Sequence, residues 1–162
     1  IRGLDSNFLD NLCKMQPIGP DYIYLLGEKR HLVRASEHAE KTDITYVNEQ
    51  DLKRKIKSFA LAVYEREVKK YSKIMDVKTN YRVAISGMET SYGTNSRKTN
   101  TIRFTPNLIH YNIDIIDSVV IHELAHYFHF DHSQNFYDVV YRYCPNYDEL
   151  QEKLNKGEFF TD

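Results

Sequence analysis

The chain has 162 residues, of which 41% are hydrophobic and 28% charged, and its formal net charge is −1. This length fits one domain, and the composition is that of an ordinary soluble globule. The longest apolar run, residues 59–64, is far shorter than the ~18 residues that a membrane span requires. Two cysteines, Cys13 and Cys144, cannot form a disulfide framework. Collagen, coiled-coil, membrane and disulfide-rich classes are therefore excluded.

The predicted elements begin after a break at Pro17-Ile18-Gly19-Pro20. Residues 1–20 are predicted to be an N-terminal segment, the end of a missing upstream part, because the chain opens at Ile1 without a methionine. Residues 21–162 are predicted to form a single domain. A short hairpin is expected first, with strands over 22–26 and 31–34.

A third strand is expected over 44–47, and Asn48 is the predicted N-cap of a long helix that ends near Met75. Apolar side chains recur there at steps of three and four residues, with Lys and Arg on the other face. Two alternating strands, over 81–85 and 101–105, flank a segment predicted to be a polar loop.

A helix is predicted from about Asp114 toward Phe128, and Ser133 is the predicted cap of the next helix. A short last helix is expected over 148–154. Strands and helices come in runs without a βαβ alternation, so the predicted class is α+β.

Charge is uneven along the chain. Residues 1–52 carry a net −3, residues 53–103 a net +9 and residues 104–162 a net −7. A basic middle is compatible with a nucleic-acid surface, but the neutral total favours a solvated helix face lying against the acidic thirds. Nucleic acid is thus not the favoured partner. The absence of a secretion leader and the low cysteine count predict a cytoplasmic protein that does not contact membranes.

The sequence His122-Glu123-Leu124-Ala125-His126 has the pattern H-E-x-x-H and falls late in a helical segment. Side chains four residues apart lie on one helix face, so both imidazoles can bind one zinc ion. The glutamate beside the first histidine can then reach a water on that ion. A catalytic zinc takes three protein ligands and a water, so one more ligand is expected.

His132 is the expected third ligand, because a turn after the helix can bring it back over the first two. His129 is nearer in sequence, but a straight helix would place it about 10 Å from His122 along the axis. We expect His129 to lie beside the site or to orient a ligand. The alternative third ligand is a carboxylate from a following helix, one of Asp138, Glu149 and Glu152. The spacing also fits metzincins, but all three methionines lie upstream, where no Met-turn can form.

The segment from Ser91-Tyr92-Gly93-Thr94-Asn95-Ser96 to His126, together with Asp131-His132-Ser133, Phe136 and Pro145-Asn146-Tyr147, resembles the YgjP-like zinc metallopeptidases. That family is similar to the SprT and WLM zincins. The resemblance implies a compact zincin-like domain with a long backing helix, a small, mostly antiparallel sheet and an active-site helix. It also implies one zinc ion per chain, held by His122, His126 and His132, with Glu123 as general base.

The predicted function is therefore a zinc-dependent metallopeptidase that hydrolyses peptide or protein substrates with a zinc-activated water. The strand around residues 102–105 is a candidate to pair with an extended peptide. Tyr92 and His129 are candidates to donate to the oxyanion.

Several alternatives stay open. The loop before the active-site helix departs from the family motif at Ser91, Tyr92, Thr94 and Asn95, so substrate preference does not transfer. A metal-dependent hydrolase of a phosphorylated substrate, such as a nucleotide, is one alternative, and a DNA-associated SprT-like protease is another. A binding module with a structural zinc is the third.

Overall fold

The computed structural model describes residues 16–34, 40, 43–86 and 92–160. These residues form two three-stranded sheets, four α-helices and a short 3₁₀ helix. Within these ranges, no helix has the length and apolar character needed to cross a membrane. The mixture of elements confirms the predicted α+β class.

The predicted hairpin forms the first two strands, β1 (Tyr22–Leu25) and β2 (Glu28–Arg34), which pair antiparallel. The two residues between them, Leu26 and Gly27, have φ angles of 54° and 81°. Two successive positive φ angles are what a type I′ hairpin turn requires. Strand β3 (Ile44–Tyr46) pairs in parallel with β2 and completes the first sheet.

Helix α1 (Glu49–Ile74) begins at the predicted cap, where the Asn48 side chain accepts a hydrogen bond from the Asp51 N–H at 2.8 Å. One face is buried, and most lysines and arginines lie on the exposed face. The buried Tyr64 hydroxyl donates to the Thr105 carbonyl at 2.9 Å, so α1 is fastened to the chain that follows the second sheet. This long helix confirms the predicted backing helix.

The second sheet has the strand order β4 (Arg82–Ile85), β6 (Thr101–Phe104), β5 (Gly93–Ser96). Strand β5 lies in the predicted polar loop, where no alternation of apolar residues indicates a strand. The chain reverses on each side of β5, so β4 and β6 run parallel while β5 and β6 run antiparallel. Each sheet thus combines one parallel and one antiparallel pair, whereas the expected sheet was mostly antiparallel.

Strand β6 is central in its sheet, with β4 on one side and β5 on the other. Both of its edges are therefore occupied by strands of the same chain. The prediction that this strand pairs with a substrate peptide is wrong for that reason. Among the described strands of this sheet, β4 and β5 are the two edge strands.

A 3₁₀ helix (Pro106–His110) leads to α2 (Ile113–Ala125), whose N-terminal N–H at Asp114 bonds to the Asn112 side chain at 2.9 Å. Most of α2 is buried, on the faces toward α1, β5 and the later helices. This burial makes α2 the central element of the domain and fixes the direction in which the H-E-x-x-H motif projects.

Helix α3 (Gln134–Tyr143) begins at the predicted cap Ser133, whose hydroxyl accepts from the Phe136 N–H at 3.4 Å. Helix α4 (Tyr147–Lys156) follows after a short turn. Both helices pack on α2. The loop before α3 and the first turn of α4 thereby come to the end of α2 that carries the motif.

Candidate metal centre and active site

The two histidines of the motif project from the end of α2. His122 lies in its last turn and His126 is its C-cap, with ring centroids 5.2 Å apart. The N–H groups of Tyr127 and Phe128 bond to carbonyls three residues earlier, at 3.0 Å, so the last turn tightens. The helix therefore ends before the predicted position at Phe128, and His129 leaves its face.

His132 returns to the motif histidines from the loop that precedes α3. Its ring centroid lies 5.3 Å from that of His122 and 4.9 Å from that of His126. One ligand atom from each of the three side chains lies within 4.8 Å of the other two. Zinc bonds to imidazole nitrogen at about 2.0–2.1 Å, so the three side chains are close enough together to be candidate ligands of one ion. Among the described residues, this is the one group of three or more His, Cys, Asp or Glu side chains that could hold a metal.

Hydrogen bonds at Nδ1 leave the Nε2 atoms of two histidines available. His126 Nδ1 lies 3.2 Å from the His129 carbonyl, which can only accept, so Nδ1 carries the proton and Nε2 the lone pair. His122 Nδ1 lies 2.7 Å from the Tyr147 hydroxyl. When the ring donates to this hydroxyl, Nε2 is again the free ligand atom. Burial and the neighbouring imidazoles lower the pKa of His122 to about 4, so the ring is neutral at pH 7.

Phe136 forms the floor beneath the three imidazoles. Its fully buried ring stacks on His126 with centroids 4.5 Å apart and an interplanar angle of 20°. It meets His122 and His132 edge-on, at 4.9 and 5.2 Å. One side chain on α3 therefore limits the orientations of all three rings.

Glu123 lies beside the imidazole cluster and is 5% exposed. Its Oε1 atom is 3.9 Å from His122 Nε2. Burial raises the pKa of its carboxyl to about 8. A carboxyl that titrates near neutral pH can both take and release a proton, which suits a general base.

Strand β5 approaches the Glu123 side chain closely at Gly93. A Cβ atom added there would lie 3.2 Å from Glu123 Cγ and 3.2 Å from Val119 Cγ1, tighter than ordinary contact. Two residues on, the Asn95 side-chain amide donates to the Glu123 carbonyl at 2.8 Å. The edge strand is therefore held against the end of α2 by a close contact and a hydrogen bond.

A cavity of about 190 Å³ opens beside these groups. His122, Glu123 and Tyr147 line one part of it, and the half-buried Tyr92 lines another. The Tyr92 ring meets Tyr111 edge-to-face at 6.3 Å. The predicted residue Tyr92 thus borders the space next to Glu123, whereas His129 contributes its main-chain carbonyl to His126.

Sequence reasoning did not assign roles to Tyr147, Phe136, Asn95 and Gly93. All four lie in the segments that carry the family resemblance. The sequence therefore singled out these residues, but it did not predict the contacts that they make. Of the alternative third ligands, Asp138, Glu149 and Glu152 are exposed and do not belong to the imidazole cluster.

The family comparison adds a decisive observation, since the YgjP-like metallopeptidase domain matches residues 14–157. The chain belongs to the YgjP-like metallopeptidase family. Members are metal-dependent hydrolases of the peptidase type, so the family implies a divalent metal ion and peptide or protein substrates. No curated protein sequence matches the chain significantly.

Two solved structures share the fold of this YgjP-like chain, and both are metallopeptidase zymogens. Abylysin from Pyrococcus abyssi is 23% identical, with a TM-score of 0.54, and the match covers 56% of this chain and 90% of abylysin. Jannalysin from Methanocaldococcus jannaschii is 18% identical, with a TM-score of 0.52, and covers 57% and 94% of the two chains. At these identities the likeness shows a shared zincin-like architecture, which confirms the predicted fold.

Proposed function

We propose that this YgjP-like chain is a zinc-dependent metallopeptidase, with residues 21–162 as its single domain. One zinc ion per chain would be held by His122, His126 and His132, and Glu123 would serve as general base. The observation that carries the proposal is the convergence of three imidazoles beside a buried carboxyl at the wall of a cavity.

The donor set fits zinc well. Three neutral imidazoles are a ligand set used by catalytic zinc sites, which leave one further position for water or substrate. The hydrogen bonds at Nδ1 of His122 and His126 orient two of the rings toward the shared space. When bound there, zinc supplies Lewis-acid activation of water and of the scissile carbonyl.

Glu123 performs the proton transfers in this proposal. Its carboxylate accepts a proton from the attacking water and delivers it to the nitrogen of the leaving amine. Burial favours this role because few waters compete for the carboxylate. Tyr92, which lines the same cavity as Glu123, is the proposed donor to the oxygen that becomes negative.

The outer edge of β5 is the proposed place for the substrate backbone. Strand β5 pairs with β6 on one side, and Gly93 and Asn95 hold it against α2. An extended peptide that adds to this edge would run past Glu123. The β5 edge therefore replaces the strand around residues 102–105 in this role.

The test is turnover of casein peptides by the zinc-loaded chain, with Glu123→Gln as the variant. We expect peptide-bond cleavage, and a fall in kcat of about 100-fold or more in the variant. Glu149→Gln is the matched control, since Glu149 is exposed on α4, and it should cleave normally.

A parallel assay offers a nucleoside triphosphate to the same preparations. Hydrolysis of the nucleotide without cleavage of any peptide would refute the peptidase and favour the phosphorylated-substrate alternative. Peptide cleavage that survives Glu123→Gln would refute the role given to Glu123.

A further inference from the structure

A second cavity, of about 240 Å³, adjoins the one beside Glu123. Tyr92 and Leu154 line both cavities, so the two spaces are neighbours across these side chains. The second cavity lies between the 3₁₀ helix, the end of α4 and the residues that follow it. Its volume is below the roughly 300–1,000 Å³ of pockets for free small molecules, and suits a single side chain.

Three aromatic rings, those of Tyr92, Tyr111 and Phe159, line part of its wall. Tyr111 meets Tyr92 edge-to-face at 6.3 Å and meets Phe159 edge-to-face at 5.0 Å. Tyr111 and Phe159 are 6% and 3% exposed, and the Tyr111 hydroxyl donates to the Leu154 carbonyl at 3.4 Å. These rings are held by packing and by a hydrogen bond, so the wall is formed before any ligand arrives.

His110 is one of the polar residues that line this cavity, together with Asn107 and Asn155. It is 4% exposed, and its Nδ1 lies 2.8 Å from the Tyr24 carbonyl, so Nδ1 carries the proton. Nε2 is then an acceptor, and it has no hydrogen-bond partner among the described residues. Burial lowers the pKa of His110, which keeps the ring neutral.

Among the residues that the structure describes, no Asp, Glu, Lys or Arg lines the second cavity. A charged side chain entering it would lose its hydration without gaining a partner of opposite charge. An aliphatic side chain would fill it but leave the His110 acceptor unpaired. An aromatic side chain with a donor group can pack edge-to-face on the rings and bond to Nε2.

We propose that this cavity is a specificity subsite of the peptidase, and that it binds a tyrosine or tryptophan side chain of the substrate. The phenol O–H or indole N–H of that residue would donate to His110 Nε2. The occupant is a residue of the substrate because the cavity adjoins the one beside Glu123, across the Tyr92 and Leu154 side chains. This inference rests on the proposed peptidase function.

The first test is a set of matched peptides that carry Tyr, Trp, Phe, Leu or Lys at each position near the scissile bond. At one position, Tyr and Trp should raise kcat/KM at least tenfold over Lys. They should exceed Phe by about 3- to 10-fold, the size of one net hydrogen bond. The absence of an aromatic preference at any position, or equal rates for Tyr, Trp and Phe, would overturn the proposal.

A variant that fills the second cavity tests whether the preference for Tyr and Trp peptides arises there. Asn155 is exposed at the mouth of the cavity, so Asn155→Phe should block it without disturbing the fold. The variant should lose the aromatic preference while still cleaving peptides with small residues. Asn80→Phe is the control, since Asn80 is exposed between α1 and β4 and lines neither cavity. A preference that survives Asn155→Phe would contradict the assignment.

A binding measurement separates this inference from the catalytic proposal. The chain contains no tryptophan, so indole fluorescence in a mixture comes from a tryptophan peptide alone. The emission should shift to the blue on binding to the wild type and to Asn80→Phe, but not to Asn155→Phe. Binding without cleavage would support the subsite and refute the peptidase, whereas no shift with any tryptophan peptide would overturn the subsite.

Discussion

The Tyr147 hydroxyl is the hydrogen-bond partner of His122 Nδ1, and when it accepts from this nitrogen, Nε2 is the free ligand atom. A histidine ring presents one protonated and one free nitrogen, and the partner at Nδ1 decides which is which. Burial raises the pKa of the Tyr147 phenol, so the group stays protonated and can accept the Nδ1 proton on its oxygen lone pairs. His126 uses a main-chain carbonyl for the same purpose. The two motif histidines are therefore oriented by groups of different origin.

Tyr147→Phe removes this partner while keeping the ring that lines the cavity. We expect zinc affinity to fall about 10–100-fold, the usual effect of losing a hydrogen bond to a ligand. Competition with a chromophoric chelator measures the affinity. Tyr141→Phe is the control, since the Tyr141 hydroxyl bonds to Asp148 on the surface. Equal affinities in the two variants would contradict the role given to Tyr147.

Asn95 satisfies a carbonyl that the end of α2 leaves open. In a regular helix the Tyr127 N–H would bond to the Glu123 carbonyl, but here it bonds to Leu124. The Asn95 side chain supplies the missing donor from β5. Asn95 departs from the family motif, and in this chain its side chain joins the edge strand to the helix.

Asn95→Ala should leave the Glu123 carbonyl without its donor and loosen β5 from the helix. We expect the free energy of unfolding to fall by about 1–3 kcal/mol, the cost of an unpaired buried polar group. Chemical denaturation measures this change, with Asn80→Ala as the exposed control. The zinc content should stay as in the wild type, because Asn95 touches no imidazole. An unchanged free energy of unfolding would contradict the stabilising role given to the hydrogen bond between Asn95 and the Glu123 carbonyl.

At the scale of elements, the contact between α1 and α2 contains a pair of buried carboxyl groups. Asp117 and Glu67 are 6% and 3% exposed, and the Tyr71 hydroxyl donates to Asp117 at 3.3 Å. Burial, followed by the bond to Glu67 and its charge, raises the pKa of Asp117 to about 8, and Lys70 offsets part of this rise. The Asp117 carboxyl therefore keeps a proton up to near neutral pH.

This proton makes the stability of the domain depend on pH. Between about pH 4 and pH 8 the folded chain keeps a proton on Asp117 that the unfolded chain releases. The free energy of unfolding therefore falls as the pH rises through this range. Asp117→Asn removes the titration, so the decline between pH 5 and pH 8 should shrink by about 1–3 kcal/mol.

Urea denaturation at several pH values tests this prediction. Asp114→Asn is the control, because Asp114 is exposed in the first turn of the same helix. If the free energy of unfolding depended on pH in the same way in the wild type and in Asp117→Asn, the claim that folded Asp117 keeps a proton would be contradicted.

For the whole molecule, local patterns predicted the elements that are defined by periodicity or by caps. The long helix from Asn48, the cap at Ser133 and the α+β class follow from such patterns. Strand β5 could not be found in this way, because its residues have no apolar alternation and the ladder with β6 alone defines it. Because β5 was not predicted, the strand around residues 102–105 was expected to be free to pair with an extended peptide.

In the candidate site, too, local sequence patterns predicted some residues, whereas others depend on tertiary packing. Helical spacing brings His122 and His126 together. His132 was predicted because a zinc ion needs a third ligand and a turn after the helix can return this residue to the motif. The contacts of Tyr147 and Phe136 could not be predicted, because they depend on how two later helices fold back on α2. The basic charge of residues 53–103 lies largely on the exposed face of α1, where Lys53 and Arg54 pair with acids of the same helix.

The measurement that tests the account most directly is the zinc content of the purified chain by elemental mass spectrometry. We expect close to one zinc ion per chain in the wild type and in His31→Ala, a variant at a histidine remote from the motif in sequence. His132→Ala should lose most of the metal, because two imidazoles alone bind zinc weakly. No metal after reconstitution, or a full zinc complement in His132→Ala, would contradict the three-histidine centre.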